Sequence, residues 1–176
     1  MAETRTGEVT FKGNPVTLVG PKLKTGAKAP DFQCVGAGLA MVSLADTTGK
    51  ARLFNVVPSL DTPVCSIQTK RFAQEMKALG NHAMAYTFSL DLPFAMARFC
   101  TDSAIDNLKN ISDVHNHSFG KSYGVLIEGL PIPLLARAVL VLDPSDTITY
   151  IEIVPEIAQE PDYEPALKAL KAAAGV

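Results

Sequence analysis

The segment ARLFNVVPSLDTPVC, residues 51–65, joins an apolar run to a polar loop that contains two prolines. Its first seven residues are nearly all apolar and include β-branched valines, which is typical of a strand buried on both faces of a sheet. Pro58 ends that run, and either Asp61 or Thr62 can cap a helix that follows. The segment therefore predicts a central strand, a short loop and a helix over residues 63–79.

Strand and helix patterns alternate through the rest of the chain. Near its C-terminus, two strands joined by a polar turn precede a helix over residues 163–174. This order predicts an α/β fold with a central mixed β-sheet flanked by helices, and the closing hairpin and helix are typical of a thioredoxin-like fold. The other predicted elements are strands at 32–35, 40–44, 83–89, 110–114, 137–142 and 147–154, and helices at 92–101 and 117–123.

An N-terminal β-hairpin is predicted to precede this α/β unit. It spans about residues 8–19, with Gly13-Asn14 at its turn. We expect one domain over residues 1–176, because this length suits a single hydrophobic core.

Composition and charge exclude several classes of protein. Sixteen Lys and Arg against 18 Asp and Glu give a net charge of −2, which does not favour nonspecific nucleic-acid binding. A hydrophobic fraction of 47% excludes a wholly disordered chain. No signal-peptide pattern and no apolar run of roughly 20 residues is visible, so we expect a cytoplasmic protein without a membrane segment. In that compartment, three cysteines are more often catalytic, metal-binding or buried than structural bridges.

Cys65 occupies a position that stabilises a thiolate. It falls in the first turn of the predicted helix, at the carboxyl end of the predicted central strand, where α/β sheets commonly carry their sites. Unpaired N–H groups and the helix dipole favour an anion there and increase the thiolate fraction of a cysteine. Thr62 lies three residues earlier, so its hydroxyl can reach the sulfur. By itself, a single cysteine is more often a buried structural thiol.

The motif around Cys65 resembles that of a known family. Pro58, Thr62 and Cys65 fit the spacing P-x-x-x-T-x-x-C, which at a strand-to-helix junction is the signature of the peroxiredoxins. Further segments resemble the bacterial thiol peroxidases, which are atypical two-cysteine peroxiredoxins, and the similarity runs in order from about residue 9 to residue 171. These segments are FKGNPVTL, DLPFAMARFC, HSFGKSYGVLIEGL, LLARAVLVLD and EPDYEPALKALK.

The resemblance implies catalytic roles for five residues. Cys65 matches the peroxidatic cysteine, whose thiolate attacks a hydroperoxide and becomes a sulfenic acid. Cys100 matches the resolving cysteine, which converts that acid into a Cys65–Cys100 disulfide. Thr62 and Arg137 match residues that orient the peroxide and stabilise the thiolate, and Pro58 matches a residue that shields it. From the residues alone, Cys100 could equally be a core thiol, and an arginine that starts an apolar strand is commonly a solvated flank.

The resemblance also implies a substrate class and partners. Such enzymes reduce hydrogen peroxide and organic hydroperoxides, including alkyl and lipid ones, with thioredoxin as reductant, and they form homodimers. An apolar rim of Phe94, Met96 and Leu134 would suit organic hydroperoxides. We expect no cofactor, because the sequence has neither G-x-G-x-x-G nor a P-loop, and no metal, because the three histidines lack partners at ligand spacing.

Two other functions fit the same fold. A peroxide-sensing redox switch or holdase would use the Cys65–Cys100 pair without rapid turnover. A disulfide oxidoreductase of the thioredoxin type is disfavoured because the sequence contains no C-x-x-C. Cys34 shares a predicted strand face with Phe32, and we interpret it as a core residue, the alternative being a second oxidation site.

Overall fold

The computed structural model describes residues 2–176 and contains strands β1 to β11 and helices α1 to α4. The helices are α1 (Pro63–Leu79), α2 (Pro93–Asp102), α3 (Ser118–Ser122) and α4 (Tyr163–Ala174). The strands are β1 (Thr4–Phe11), β2 (Asn14–Val19), β3 (Cys34–Val35), β4 (Met41–Val42), β5 (Ala51–Val56), β6 (Ala83–Ser89), β7 (Lys109–Ser112), β8 (Leu126–Glu128), β9 (Leu134–Leu135), β10 (Ala138–Leu142) and β11 (Ile148–Ile153).

A seven-stranded mixed sheet forms the centre, in the order β11-β10-β5-β6-β7-β3-β4. Strands β5, β6 and β7 are parallel, whereas β10 pairs with β5, and β11 with β10, in antiparallel fashion. Every residue of β5 is buried, and alternate side chains enter two different cores. Phe54 packs in one core and Leu53 in the other. The predicted α/β architecture with a mixed sheet and flanking helices, a thioredoxin-like fold, is confirmed.

The N-terminal hairpin belongs to a second, four-stranded sheet in the order β1-β2-β8-β9. The hairpin is longer than predicted and pairs Thr4 with Val19 at its open end. Its turn places Lys12 and Gly13 at positive φ, 51° and 80°. The sequence does not predict β8 and β9, because strands of three and two residues are too short for a recognisable alternation.

Most predicted elements agree with the structure, and the differences have local causes. Helices α1 and α4 begin and end at the predicted residues. The strand predicted at 40–44 shortens to β4, because the Asp46 carboxylate accepts hydrogen bonds from the Ser43 N–H and hydroxyl and starts a 3₁₀ helix there. Across residues 2–176, none of the helices has the length and apolarity needed to cross a membrane.

Candidate active site

Cys65 lies in the first turn of α1 and is fully buried. Thr62 is the N-cap of this helix, in an extended conformation, and Pro63 begins its first turn. The Ser66 N–H donates to the Thr62 carbonyl at 3.1 Å. Because α1 follows β5 directly, the turn with Cys65 sits at the carboxyl edge of the parallel strands, where the sequence predicted it.

Arg137 brings a buried cation to the Cys65 sulfur. The residue is 2% exposed and immediately precedes β10. Its Nη2 donates to Cys65 Sγ at 3.4 Å, its Nη1 to Gln68 Oε1 at 2.8 Å, and its Nε to the Ile157 carbonyl at 2.8 Å. A guanidinium held at three points in a low-dielectric interior favours a negative charge on the neighbouring sulfur.

A network of hydrogen bonds among buried amides and hydroxyls fixes the orientation of the Gln68 side-chain amide. Gln68 Nε2 donates to Asn55 Oδ1 at 2.7 Å, so the Gln68 oxygen faces Arg137. Asn55 Nδ2 in turn donates to the hydroxyls of Thr69 and Thr87, at 2.9 and 3.1 Å. These hydrogen bonds were not predicted from the sequence. Their signals are a polar residue inside the apolar run of β5 and a glutamine one helical turn after Cys65.

An apolar pocket of about 460 Å³ opens beside Arg137. Four residues of the sequence prediction, Pro58, Thr62, Leu134 and Arg137, line it. The Thr62 hydroxyl donates to the Ser59 carbonyl at 2.8 Å, so its proton is directed at the loop and not at the sulfur. The other lining residues include Phe11, Lys12, Pro63, Val64, Ile132, Ile157 and Ala158.

Two residues predicted to bind substrate lie outside this pocket, on α2. Phe94 is 66% exposed at the start of the helix. Met96 is fully buried and packs in a small cluster with Val57, Leu60 and Cys65. Met96 therefore shares a buried cluster with Cys65, whereas Leu134 lines the pocket.

The tip of the N-terminal hairpin forms one wall of the pocket and is held by Glu156. The Glu156 carboxylate accepts from the backbone N–H groups of Lys12 and Gly13, both at 3.0 Å, and from the Thr10 hydroxyl at 2.8 Å. Together with the Ala158 N–H, which contributes most, these bonds lower the pKa of Glu156 to about 2. The carboxylate is therefore ionised at neutral pH, and the next residue supplies the carbonyl that binds Arg137.

Cys100 lies on α2 in a different packing environment from Cys65. Asn110 Nδ2 donates to Cys100 Sγ at 3.1 Å and to the Met96 carbonyl at 3.0 Å. Burial raises the pKa of the Cys100 thiol. Cys100 lines a separate cavity of about 450 Å³ and packs against the core that contains Leu53, and both cysteines are free thiols. A disulfide between them requires local rearrangement of α1, α2 or both.

Cys34 lies in the aromatic core on the opposite side of the sheet. It is fully buried, and its thiol donates to Asp113 Oδ1 at 3.2 Å. Burial, with a further contribution from the Asp113 charge, raises the pKa of Cys34 well above its usual range. On balance this environment disfavours a thiolate. Residues 2–176 hold no group of three or more His, Cys, Asp or Glu side chains that could bind a metal ion.

This chain is similar in sequence and in structure to known proteins of one family. The Redoxin family pattern matches residues 24–167. A thiol peroxidase from Halalkalibacterium halodurans is 48% identical over 165 residues, which cover 94% of this chain and 98% of the relative. A thiol peroxidase from Streptococcus sanguinis is 48% identical, with 92% and 98% covered. The crystal structure of a peroxiredoxin-like protein from Aquifex aeolicus superposes with a TM-score of 0.87 at 39% identity, covering 98% of each chain.

Proposed function

The chain belongs to the Redoxin family and is an enzyme of the thiol peroxidase type, and we propose that Cys65 is its peroxidatic and Cys100 its resolving cysteine. The observation that carries this proposal is the Arg137 Nη2 to Cys65 Sγ contact of 3.4 Å in the first turn of α1. A guanidinium and a helix N-terminus meet there at one buried sulfur beside an apolar pocket, which favours a poised nucleophile.

The first step is oxidation of Cys65 by a hydroperoxide. The thiolate attacks the terminal oxygen, the O–O bond breaks, and Cys65 becomes a sulfenic acid while the leaving oxygen takes a proton to give water or an alcohol. Arg137 stabilises the negative charge that develops on the leaving oxygen. Pro58 and Thr62 border the pocket, where Pro58 shields the sulfur and the Thr62 hydroxyl orients the peroxide.

The second step joins the two cysteines. The Cys100 thiol attacks the sulfur of the sulfenic acid, a disulfide forms, and water leaves. Since Cys65 packs with Met96 and Cys100 is held by Asn110, the contacts of α2 must open before the sulfurs can bond. This opening is a conformational step that separates the peroxide reaction from the disulfide reaction.

We also propose a reductant, an oligomeric state and a substrate class for the enzyme. The disulfide is reduced by thiol–disulfide exchange with thioredoxin in the cytoplasm, and the enzyme works as a homodimer. Hydrogen peroxide and organic hydroperoxides, alkyl and lipid, are the substrates. The apolar pocket supports the organic ones, with Leu134 on its wall. Phe94 is an exposed apolar side chain on α2, and Met96 sets the packing behind Cys65.

Steady-state peroxide consumption with NADPH, thioredoxin reductase and thioredoxin tests the proposal. Cumene hydroperoxide and hydrogen peroxide are assayed in parallel, and rapid turnover is expected with at least one. The Cys100→Ser variant should consume one equivalent of peroxide and then stall. Continued cycling by this variant would remove Cys100 from the resolving role. Oxidation of Cys65 without turnover in the wild type would instead indicate a redox switch.

A further inference from the structure

The Asp91 carboxylate links the segments that precede α1 and α2, the helices that contain Cys65 and Cys100. Asp91 lies in the turn between β6 and α2, and its Oδ1 accepts from the Ser59 hydroxyl at 2.8 Å. Its Oδ2 accepts from the Leu60 N–H at 2.8 Å and from the Ser89 hydroxyl at 2.9 Å. Both oxygens are engaged, and two of these three bonds reach the loop that precedes α1.

Asp91 is itself anchored to the sheet. Its N–H donates to the Ser89 hydroxyl at 3.1 Å, and its carbonyl accepts from the Ser112 hydroxyl at 2.6 Å. Ser89 ends β6 and Ser112 ends β7, so these bonds fix Asp91 at the edge of the central sheet. The carboxylate therefore holds the loop from a rigid position.

The loop that Asp91 holds determines the surroundings of the peroxidatic sulfur. Leu60 is 4% exposed and belongs to the buried cluster that also contains Cys65 and Met96 of α2. The Ser59 carbonyl accepts from the N–H and the hydroxyl of Thr62, at 3.1 and 2.8 Å, and Thr62 is the N-cap of α1. The bonds from Asp91 thus stabilise the start of α1 and its packing on α2.

We propose that Asp91 is a positioning residue that holds α1 and α2 in the closed arrangement and thereby sets the lifetime of the Cys65 sulfenic acid. This inference rests on the proposed function. The sulfenic acid has two fates: condensation with the Cys100 thiol, which releases water, or attack on a second hydroperoxide, which gives a sulfinic acid and releases water or an alcohol. Condensation needs the open arrangement, whereas the second oxidation needs the closed one. A residue that stabilises the closed arrangement favours both oxidation steps over condensation.

The Asp91→Asn variant tests this role. Its amide nitrogen cannot accept hydrogen bonds, so at least one of the three bonds to the carboxylate is lost, and a bond to a charged group is among the stronger ones. We expect the sulfinic acid formed per turnover at a fixed peroxide concentration to fall about three- to tenfold. Stopped-flow oxidation of Cys65 should slow while disulfide formation accelerates. Intact-mass spectrometry separates the disulfide from the sulfinic acid.

Asp143→Asn is the matched control. Asp143 Oδ1 accepts from the Ser145 N–H, the Ser145 hydroxyl and the Thr147 N–H in the turn between β10 and β11, away from both cysteines. It should leave the sulfinic-to-disulfide ratio unchanged. If Asp91→Asn does not fold, Ser59→Ala, which removes one donor from the same carboxylate, should shift the ratio in the same direction by a smaller factor.

An unchanged ratio in folded Asp91→Asn, or in Ser59→Ala where Asp91→Asn does not fold, would overturn the inference. An equal fall in oxidation and condensation rates would do so as well, because it would indicate general destabilisation. Failure of the proposed function has a different signature, since the wild-type chain would then form no Cys65–Cys100 disulfide.

Discussion

Cys65 and Cys34 are equally buried but have opposite neighbours. Both side chains are fully excluded from solvent, and each forms a hydrogen bond with a charged residue. The partner of Cys65 is the Arg137 guanidinium at a helix N-terminus, whereas the partner of Cys34 is the Asp113 carboxylate. Burial alone disfavours a thiolate at either position, so the sign of the partner's charge decides which cysteine can act as a nucleophile.

Exchanging each sulfur for oxygen is the strongest test of this difference. Cys65→Ser should reduce peroxidase turnover by at least about 10³, because an alcohol is hardly ionised at neutral pH. Cys34→Ser should retain turnover within about twofold, since a hydroxyl can still donate to Asp113. The coupled thioredoxin assay measures both. A comparable loss in the two variants would mean that Cys34 takes part in the chemistry.

The charge at Cys65 is tested next, through Arg137. Arg137→Lys keeps a cation but cannot bond Cys65, Gln68 and Ile157 together, so the second-order rate of Cys65 oxidation should fall roughly 10- to 100-fold. Arg52→Lys is the matched control, because Arg52 is also fully buried but binds Asp146 and the Asp143 carbonyl.

The control should lower the unfolding temperature without slowing oxidation. Stopped-flow fluorescence or competition for peroxide gives the rate. If Arg137→Lys oxidised at the wild-type rate, the geometry of the guanidinium fork would not matter to the reaction.

Cys65 also has a pocket in its surroundings, because Arg137, its cationic partner, lines one. Glu156→Ala should loosen the hairpin tip and raise the KM for cumene hydroperoxide about fivefold, while the KM for hydrogen peroxide changes less. Glu8→Ala is the control, because Glu8 lies on the same hairpin but pairs with Arg5 and Lys22. Equal effects on both peroxides would argue against a role for the hairpin wall in binding the organic group.

Sequence patterns predicted the scaffold and the positions of Cys65, Thr62 and Pro58, because these depend on local signals: an apolar run, a helix cap and fixed spacing. They did not predict the hydrogen bonds of Gln68 and Asn55, or those of Asp91. Such contacts join residues that are distant in sequence, and they depend on how far each strand extends before its loop begins. The resemblance placed Arg137 among the catalytic residues, and the structure adds the contacts that orient it.

The last test concerns the charge beside Cys34. Asp113 accepts from Cys34 and from the backbone N–H groups of Phe119 and Gly120, at 3.0 and 2.7 Å. Burial is the main cause that raises the pKa of Asp113 above its ordinary value of 3.8. The folded state therefore binds the proton more tightly than the unfolded state. The stability that this carboxyl contributes is complete below the unfolded value and is lost as pH rises through the folded one.

Asp113→Asn removes this titration along with one acceptor. We expect the variant to be less stable by about 1–3 kcal/mol in acid, with a difference that shrinks as pH rises above the ordinary carboxyl value of 3.8. Turnover should be unchanged. Urea unfolding on both sides of this pH measures the difference between wild type and variant. A difference that grew with pH would mean that the ionised carboxylate is well solvated by its donors.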